Sequence, residues 1–161
     1  MKTTLLALFI LVSATATGQD ANTELTWHNM TEAQALQKEN PKKGILVDFY
    51  THWCGPCKMM DKMTFTDPSV IQLLNEHFYV VKFNAEGNED VSFQGKTYSN
   101  PSFVASRGRN QRNGTHQFTS FVGIRGYPTL VYYDENMVSK QFMGYKTAPQ
   151  LLGLLKEEIG K

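Results

Sequence analysis

The only two cysteines of the chain stand three positions apart in Trp53-Cys54-Gly55-Pro56-Cys57-Lys58. Two thiols at that spacing can close a small ring and reopen it, which is the chemistry of a dithiol–disulfide switch. As a structural staple the pair is poor, because closing a four-residue loop stabilises a fold by only about 2 kcal/mol before strain is subtracted. Metal binding is the rival for any such pair. Zinc takes four protein ligands, or three and a water. Here there is no second cysteine pair, and none of His28, His52, His77 and His116 stands at ligand spacing. The two sulfurs are therefore read as a redox centre, a reversible Cys54–Cys57 disulfide that needs no dissociable cofactor and no metal.

The flanking residues say how such a centre is positioned. Residues 44–50 are apolar almost throughout rather than alternating, the pattern of a strand buried on both faces. From Lys58 the chain runs through good helix formers without a breaker. Cys54 thus falls where a strand ends and a helix begins. Unpaired N–H groups and the macrodipole of a helix N-terminus favour an anion there, so a thiolate on Cys54 is stabilised. Asp48 is the second unusual residue, a carboxylate inside that apolar strand, and Lys82 sits similarly in the apolar run of residues 78–83. Two readings of Asp48 stand. Buried opposite Lys82, it has a raised pKa and is suited to take a proton from Cys57; at a strand edge, it simply points to water.

Together, Val47-Asp48-Phe49-Tyr50, the stretch from Trp53 to Lys58, and Lys82 resemble the buried Asp, active site and buried Lys of the thioredoxin family. Gly123-Ile124-Arg125-Gly126-Tyr127-Pro128-Thr129-Leu130 is similar to the family's segment holding the cis-proline loop, and Gly144 matches a glycine that lies near the active site. The resemblance covers about residues 44–160 and joins separated motifs in the family's order. It implies a thioredoxin fold: α/β, a central mixed sheet with helices on both faces. It also implies roles. Cys54 attacks a substrate disulfide and Cys57 resolves the mixed disulfide, Asp48 accepts the proton of Cys57, and Lys82 tunes Asp48. Trp53, Gly55 and Pro56 shape the active-site turn. Tyr127 and a cis Pro128 lie against the cysteines, where the loop pairs with an extended substrate chain.

The departures are as informative. Tyr50 stands where thioredoxins commonly have Trp, and no proline interrupts the stretch after Cys57. Instead Asp67-Pro68 offers an N-cap and a first-turn proline for a new helix reaching about His77. That layout resembles the secreted thioredoxin-like branch that includes the C-terminal domain of the bacterial electron-transporting Dsb proteins. General thiol chemistry carries over from that branch, but the natural substrate does not. Disulfide-bearing proteins or peptides are the expected substrates, and an exported reductase needs a membrane electron donor as partner.

Residues 1–18 have a lysine, an apolar run from Leu5 to Val12 and a small-residue end at Gly18, the pattern of a cleaved signal peptide. The run is shorter than the roughly 20 residues a membrane span needs and is followed by no lipid-accepting cysteine. Removing it leaves residues 19–161, one domain's length, with 15 basic and 15 acidic residues. Such a neutral chain gives no ground for binding nucleic acid or a membrane surface; a monomer in an exported, periplasmic or secreted setting is expected. The remaining elements read as a short strand at residues 24–27, a helix opened by a Thr31/Gln34 capping box, and a hairpin from residues 129–133 and 138–143. A last helix is opened by Thr147 and Gln150, with Leu151, Leu154, Leu155 and Ile159 as its stripe.

An insertion at about residues 85–117 exceeds what the family needs. Residues 95–117 hold Lys96, Arg107, Arg109 and Arg112 with no acid. Phe93, Tyr98 and Phe103 offer anchors. Two readings stand: a substrate-contacting flap beside the active site, or a solvated excursion. The Gly-Pro dipeptide and Asp48 resemble reducing thioredoxins, so the expected activity is an exported protein-disulfide reductase. The alternatives are an oxidase or isomerase of the same fold, and a non-catalytic partner-binding module.

Overall fold

A strand apolar on both faces must have a sheet neighbour on each edge and a helical layer above and below, and residues 44–50 are placed in that way. The structure is a computed structural model and describes residues 24–160; the expected signal peptide, residues 1–18, lies outside the described residues. The strand β2 (Gly44–Tyr50) is flanked by β3 (Phe78–Asn84), parallel, and by β6 (Thr129–Tyr133), antiparallel. Beyond them β1 (Trp27–His28) runs parallel to β3 and β7 (Ser139–Met143) antiparallel to β6, giving the order β1-β3-β2-β6-β7. The architecture is the mixed central sheet with helices on both faces that the sequence implies.

Side-chain alternation along β2 divides the core. Ile45, Val47 and Phe49 join Met30 and Ala33 of α1 (Met30–Glu39) and Phe118 of α4 (Gln117–Val122) on one face. Leu46 joins the opposite layer, with Met60 of α2 (Gly55–Met63), Val70 and Leu74 of α3 (Pro68–His77), and Leu151 and Leu155 of α5 (Ala148–Ile159). Asp48 shares its face with Leu46. The carboxylate is therefore aimed at the layer that contains the active-site helix, not at water.

Local chemistry starts most of these elements where expected. Asp67 accepts from the N–H groups of Ser69 and Val70 at 2.9 and 3.2 Å, with Pro68 in the first turn of α3. Thr147 and Gln150 form the reciprocal cap of α5. Elsewhere tertiary contacts moved a boundary. The cap of α1 is Asn29 with Glu32, at 2.9 and 3.1 Å, rather than Thr31 with Gln34; Gln34 is drawn off to the carbonyl of Ser92. The first strand begins only at Trp27, since Glu24 and Thr26 are held by the side chain of Asn75. Ile159 is exposed, so the stripe of α5 is Leu151 and Leu155 with Leu152 and Leu154 half-buried.

The inserted segment is built rather than loose. It contains the hairpin β4 (Val91–Phe93) and β5 (Lys96–Tyr98), whose two-residue turn places Gln94 and Gly95 at φ of 50° and 77°. Phe93 and Tyr98 are buried in the α1/α4 layer. His116 is fully buried and caps α4: its Nδ1 accepts from the N–H of Phe118 at 3.0 Å, so Nε2 carries the proton and donates to the carbonyl of Glu89 at 2.8 Å. The side-chain amide of Asn100 donates to the carbonyls of Gly87 and Gly114, both at 2.7 Å. Gly114 lies so close to Ser102 that a Cβ would stand 2.2 Å from its carbonyl oxygen. The segment is closed across its base.

Because Asp67 satisfies two otherwise unpaired N–H groups, Asp67→Ala should lower the unfolding free energy by about 1 kcal/mol. Urea denaturation should show a lower midpoint with an unchanged slope.

Candidate active site

Cys54 is the N-cap of α2, with extended backbone at φ −74° and ψ 105°. Its Sγ accepts from the N–H of Cys57 at 3.1 Å, and its carbonyl accepts from Lys58 at 3.2 Å. The cysteines form a disulfide, with Cα atoms 5.3 Å apart, and are only 3% and 2% exposed. Once the bond is reduced, the same N–H and the helix dipole favour a thiolate on Cys54. Gly55 and Pro56 form the exposed first turn, where the N–H that proline lacks has no partner to lose.

Asp48 lies beneath this helix. Strand register sets it directly opposite Lys82, whose Nζ donates to Oδ2 at 3.1 Å. The carboxylate is 2% exposed, and Oδ1 accepts no hydrogen bond from another described residue. Burial pushes its pKa up to about 6; Lys82 pulls it down through its charge and hydrogen bond, and the charge of Asp61 adds a smaller upward push. Lys82 also donates to Asp61 Oδ1, an acceptor that sequence reasoning missed. Its signal was helical spacing: Asp61 stands four residues after Cys57, one turn on along α2. Burial lowers the pKa of Lys82, but the two carboxylates outweigh it and hold the ammonium above its ordinary value. The ammonium lies 4.7 and 4.9 Å from the ring centroids of Trp27 and Tyr50. A cation held between acids and aromatic faces remains charged.

On the other side of the cysteines, Trp53 is fixed by a second missed carboxylate. Its Nε1 donates to Glu86 Oε2 at 2.8 Å, and the same oxygen accepts from the N–H of Asn113 at 2.8 Å. Arg112 stacks over the indole at 4.3 Å, while the Tyr127 ring meets it edge-on at 5.9 Å. The Tyr127–Pro128 peptide is cis. Burial, reinforced by the charge of Glu86, pushes the pKa of Tyr127 up to about 12. Gly144, at φ 82°, turns its N–H onto the carbonyl of Pro128 at 2.8 Å, a left-handed conformation that favours glycine. His52 is half-buried, and burial together with the charges of Arg109 and Lys58 lowers its pKa.

Residues 103–113 fold back over this edge. Lys58 of α2 donates to Asn110 Oδ1 at 3.3 Å, and a cleft of about 300 Å³ opens between the loop, His52, Trp53 and the end of β3. Residues 103–113 thus form a hydrogen-bonded loop beside the active site, with residues 104–112 exposed to solvent. Of the residues expected at the site, the structure gathers Cys54, Cys57, Asp48 and Lys82 around α2, and Trp53, Tyr127, Pro128 and Gly144 around the adjoining loops.

Residues 30–159 match the family described as the thioredoxin-like domain. A thioredoxin of Alicyclobacillus acidocaldarius is 28% identical over 149 residues, covering 91% of this chain and 99% of that one. The thiol:disulfide interchange protein DsbD of Photorhabdus laumondii is 26% identical over 107 residues, 66% of this chain but 14% of its own. A solved structure of a DsbH oxidoreductase superposes with a TM-score of 0.62 at 18% identity, over 92% of this chain and 93% of that one, a likeness of fold. The chain spans less than two thirds of the length of the first curated relatives it matches.

The raised pKa of Asp48 has a thermodynamic sign. A group that holds its proton more tightly folded than unfolded favours folding below its unfolded pKa and loses that contribution as pH rises through the folded one. Between pH 4 and 7.5 the wild type should therefore lose about 2–3 kcal/mol relative to Asp48→Asn. Denaturant titrations of both oxidised proteins across that range check this; parallel stability curves would refute a buried, proton-holding Asp48.

Proposed function

This chain belongs to the thioredoxin-like domain family, and we propose that it is an exported thiol–disulfide oxidoreductase whose Cys54–Cys57 pair reduces disulfides in proteins or peptides. The observation that carries the reading is the pairing of a helix-capping Cys54 with a buried carboxylate, Asp48, whose pKa of about 6 suits proton transfer near neutrality. A pure binding module has no use for either.

The cycle conserves two electrons. The Cys54 thiolate attacks one sulfur of the substrate disulfide, that bond breaks, and a substrate thiolate leaves. Asp48 then takes the proton from the Cys57 thiol, and the new thiolate attacks Cys54 Sγ. The second substrate sulfur departs, the Cys54–Cys57 disulfide forms, and protons return to the released thiols. Trp53 and the Tyr127–Pro128 segment hold the substrate chain across the sulfurs. To reduce again in an oxidising compartment, the protein needs a dithiol donor, which we assign to a membrane electron carrier. Export is supported by the lysine and apolar run of residues 1–18 and is tested by whether the mature chain begins at Gln19. Among the described residues, no helix is long and apolar enough to cross a membrane.

With dithiothreitol as donor, the protein should reduce insulin, Cys54→Ser should abolish turnover, and Cys57→Ala should accumulate mixed disulfides on Cys54 that mass spectrometry can identify. Absence of turnover in the wild type would favour a binding module. Equilibration with glutathione should give a potential more negative than about −180 mV; a higher value would point to an oxidase or isomerase.

Asp48→Asn should slow reduction at pH 7 by about a hundredfold. Stopped-flow rates across pH 5–8 should show an inflection near 6 in the wild type and none in the variant.

A further inference from the structure

The flap over residues 103–113 carries charge for which the fold itself has no evident use. Lys58, Arg107, Arg109 and Arg112 are exposed around the cleft beside Trp53. None of the four has a carboxylate within ion-pair distance among the described residues. Glu86 is the one acid lining the cleft, and it is nearly buried and already accepts from both Trp53 and Asn113. Cations gathered without a carboxylate among them repel one another, and an anion placed between them would relieve that repulsion. The mature chain has equal numbers of acidic and basic residues, which makes the positive field a local property of this edge. After burial, the charges of Arg109 and Lys58 also add to the lowering of the His52 pKa.

The position of the flap is fixed. Asn113 clips it twice, its Oδ1 accepting from the N–H of Val104 at 2.8 Å and its Nδ2 donating to the carbonyl of Val104 at 3.1 Å. Arg107 donates to the carbonyl of Arg112 at 3.0 Å, closing the loop on itself. Lys58 and Glu86 tie the loop to α2 and to the end of β3. The cleft is lined by His52 and Trp53, the two residues immediately before Cys54. A substrate chain seated on Cys54 therefore has its residues near the attacked half-cystine beside the cleft.

We propose that this cleft is a specificity subsite for acidic substrates: it receives aspartate or glutamate side chains flanking the substrate disulfide, with Arg107 and Arg109 as the recognising groups. The proposal rests on the oxidoreductase reading and adds the substrate class. Guanidinium groups suit the role because their planar donor forks match a carboxylate. Phe103 gives the cleft an apolar wall for the stems of those side chains. Steering by such a patch acts chiefly on association and weakens with salt.

The test uses the reduced, mature protein and three disulfide peptides that are identical except at the flanking positions, which carry Asp and Glu, Asn and Gln, or Lys. At about 20 mM salt, kcat/KM for the acidic peptide should exceed that for the neutral one by about tenfold, with the Lys peptide slowest. At 0.5 M salt the ratio should fall below about three. Arg107→Gln with Arg109→Gln should bring the acidic-to-neutral ratio to about one. Arg109→Gln alone, which removes no hydrogen bond of the loop, should reduce it about threefold. Equal rates for the acidic and neutral peptides in the wild type, or a preference that survives the double substitution, would overturn the subsite while leaving the redox reading intact. Failure to reduce any of the three would overturn both.

Discussion

A carboxylate buried in the middle of the central strand is the constraint around which this active site is arranged. Asp48 is barely exposed, and its desolvation outweighs the attraction of Lys82, so it holds a proton well above the usual carboxylate range. A core optimised for stability alone would place an apolar residue there. What surrounds Asp48 limits the penalty without removing it. The parallel register of β2 and β3 sets Lys82 opposite, and Lys82 is shared with Asp61 on α2 and flanked by Trp27 and Tyr50. The arrangement keeps the lysine charged and the carboxyl titratable near neutrality.

The same strand delivers the nucleophile. β2 ends at Tyr50 and α2 begins at Gly55, so the turn between them puts Cys54 at the helix cap directly after the strand that carries Asp48. Two polar networks then flank the sulfurs. Beneath α2, Asp48 and Lys82 join Asp61 of the helix; at the outer edge run Trp53, Glu86 and Asn113. The first concerns protons. The second holds the indole beside the cysteines and anchors the loop of residues 103–113. Gly144 and Pro128 close the opposite side through a backbone hydrogen bond.

Whatever depends on near neighbours in the chain was legible without coordinates. The cysteine spacing, the doubly apolar strand, the caps at Asp67 and Thr147 and the hairpin turn at residues 134–136 are local, because each element is started or stopped by groups within a few residues. Even there, competition shifted details: Asn29 took the cap of α1 because Gln34 found a carbonyl on β4. The partners of Asp48 and Trp53 belong to another order. Asp61 reads in isolation as a solvent-facing helix acid, and Glu86 as a loop acid; only the packing of α2 against β3, and of the insertion against β2, brings them to Lys82 and the indole. The path of residues 103–113 was equally open, since a polar stretch with three arginines has no periodicity to commit it. Long-range hydrogen bonds through Asn100, Asn113 and Glu86 decided that the basic residues face the active site. Periodicity and spacing sufficed for the chemistry of the pair, whereas the charged groups beneath it and the basic cleft beside it arose from contacts between residues far apart in the chain.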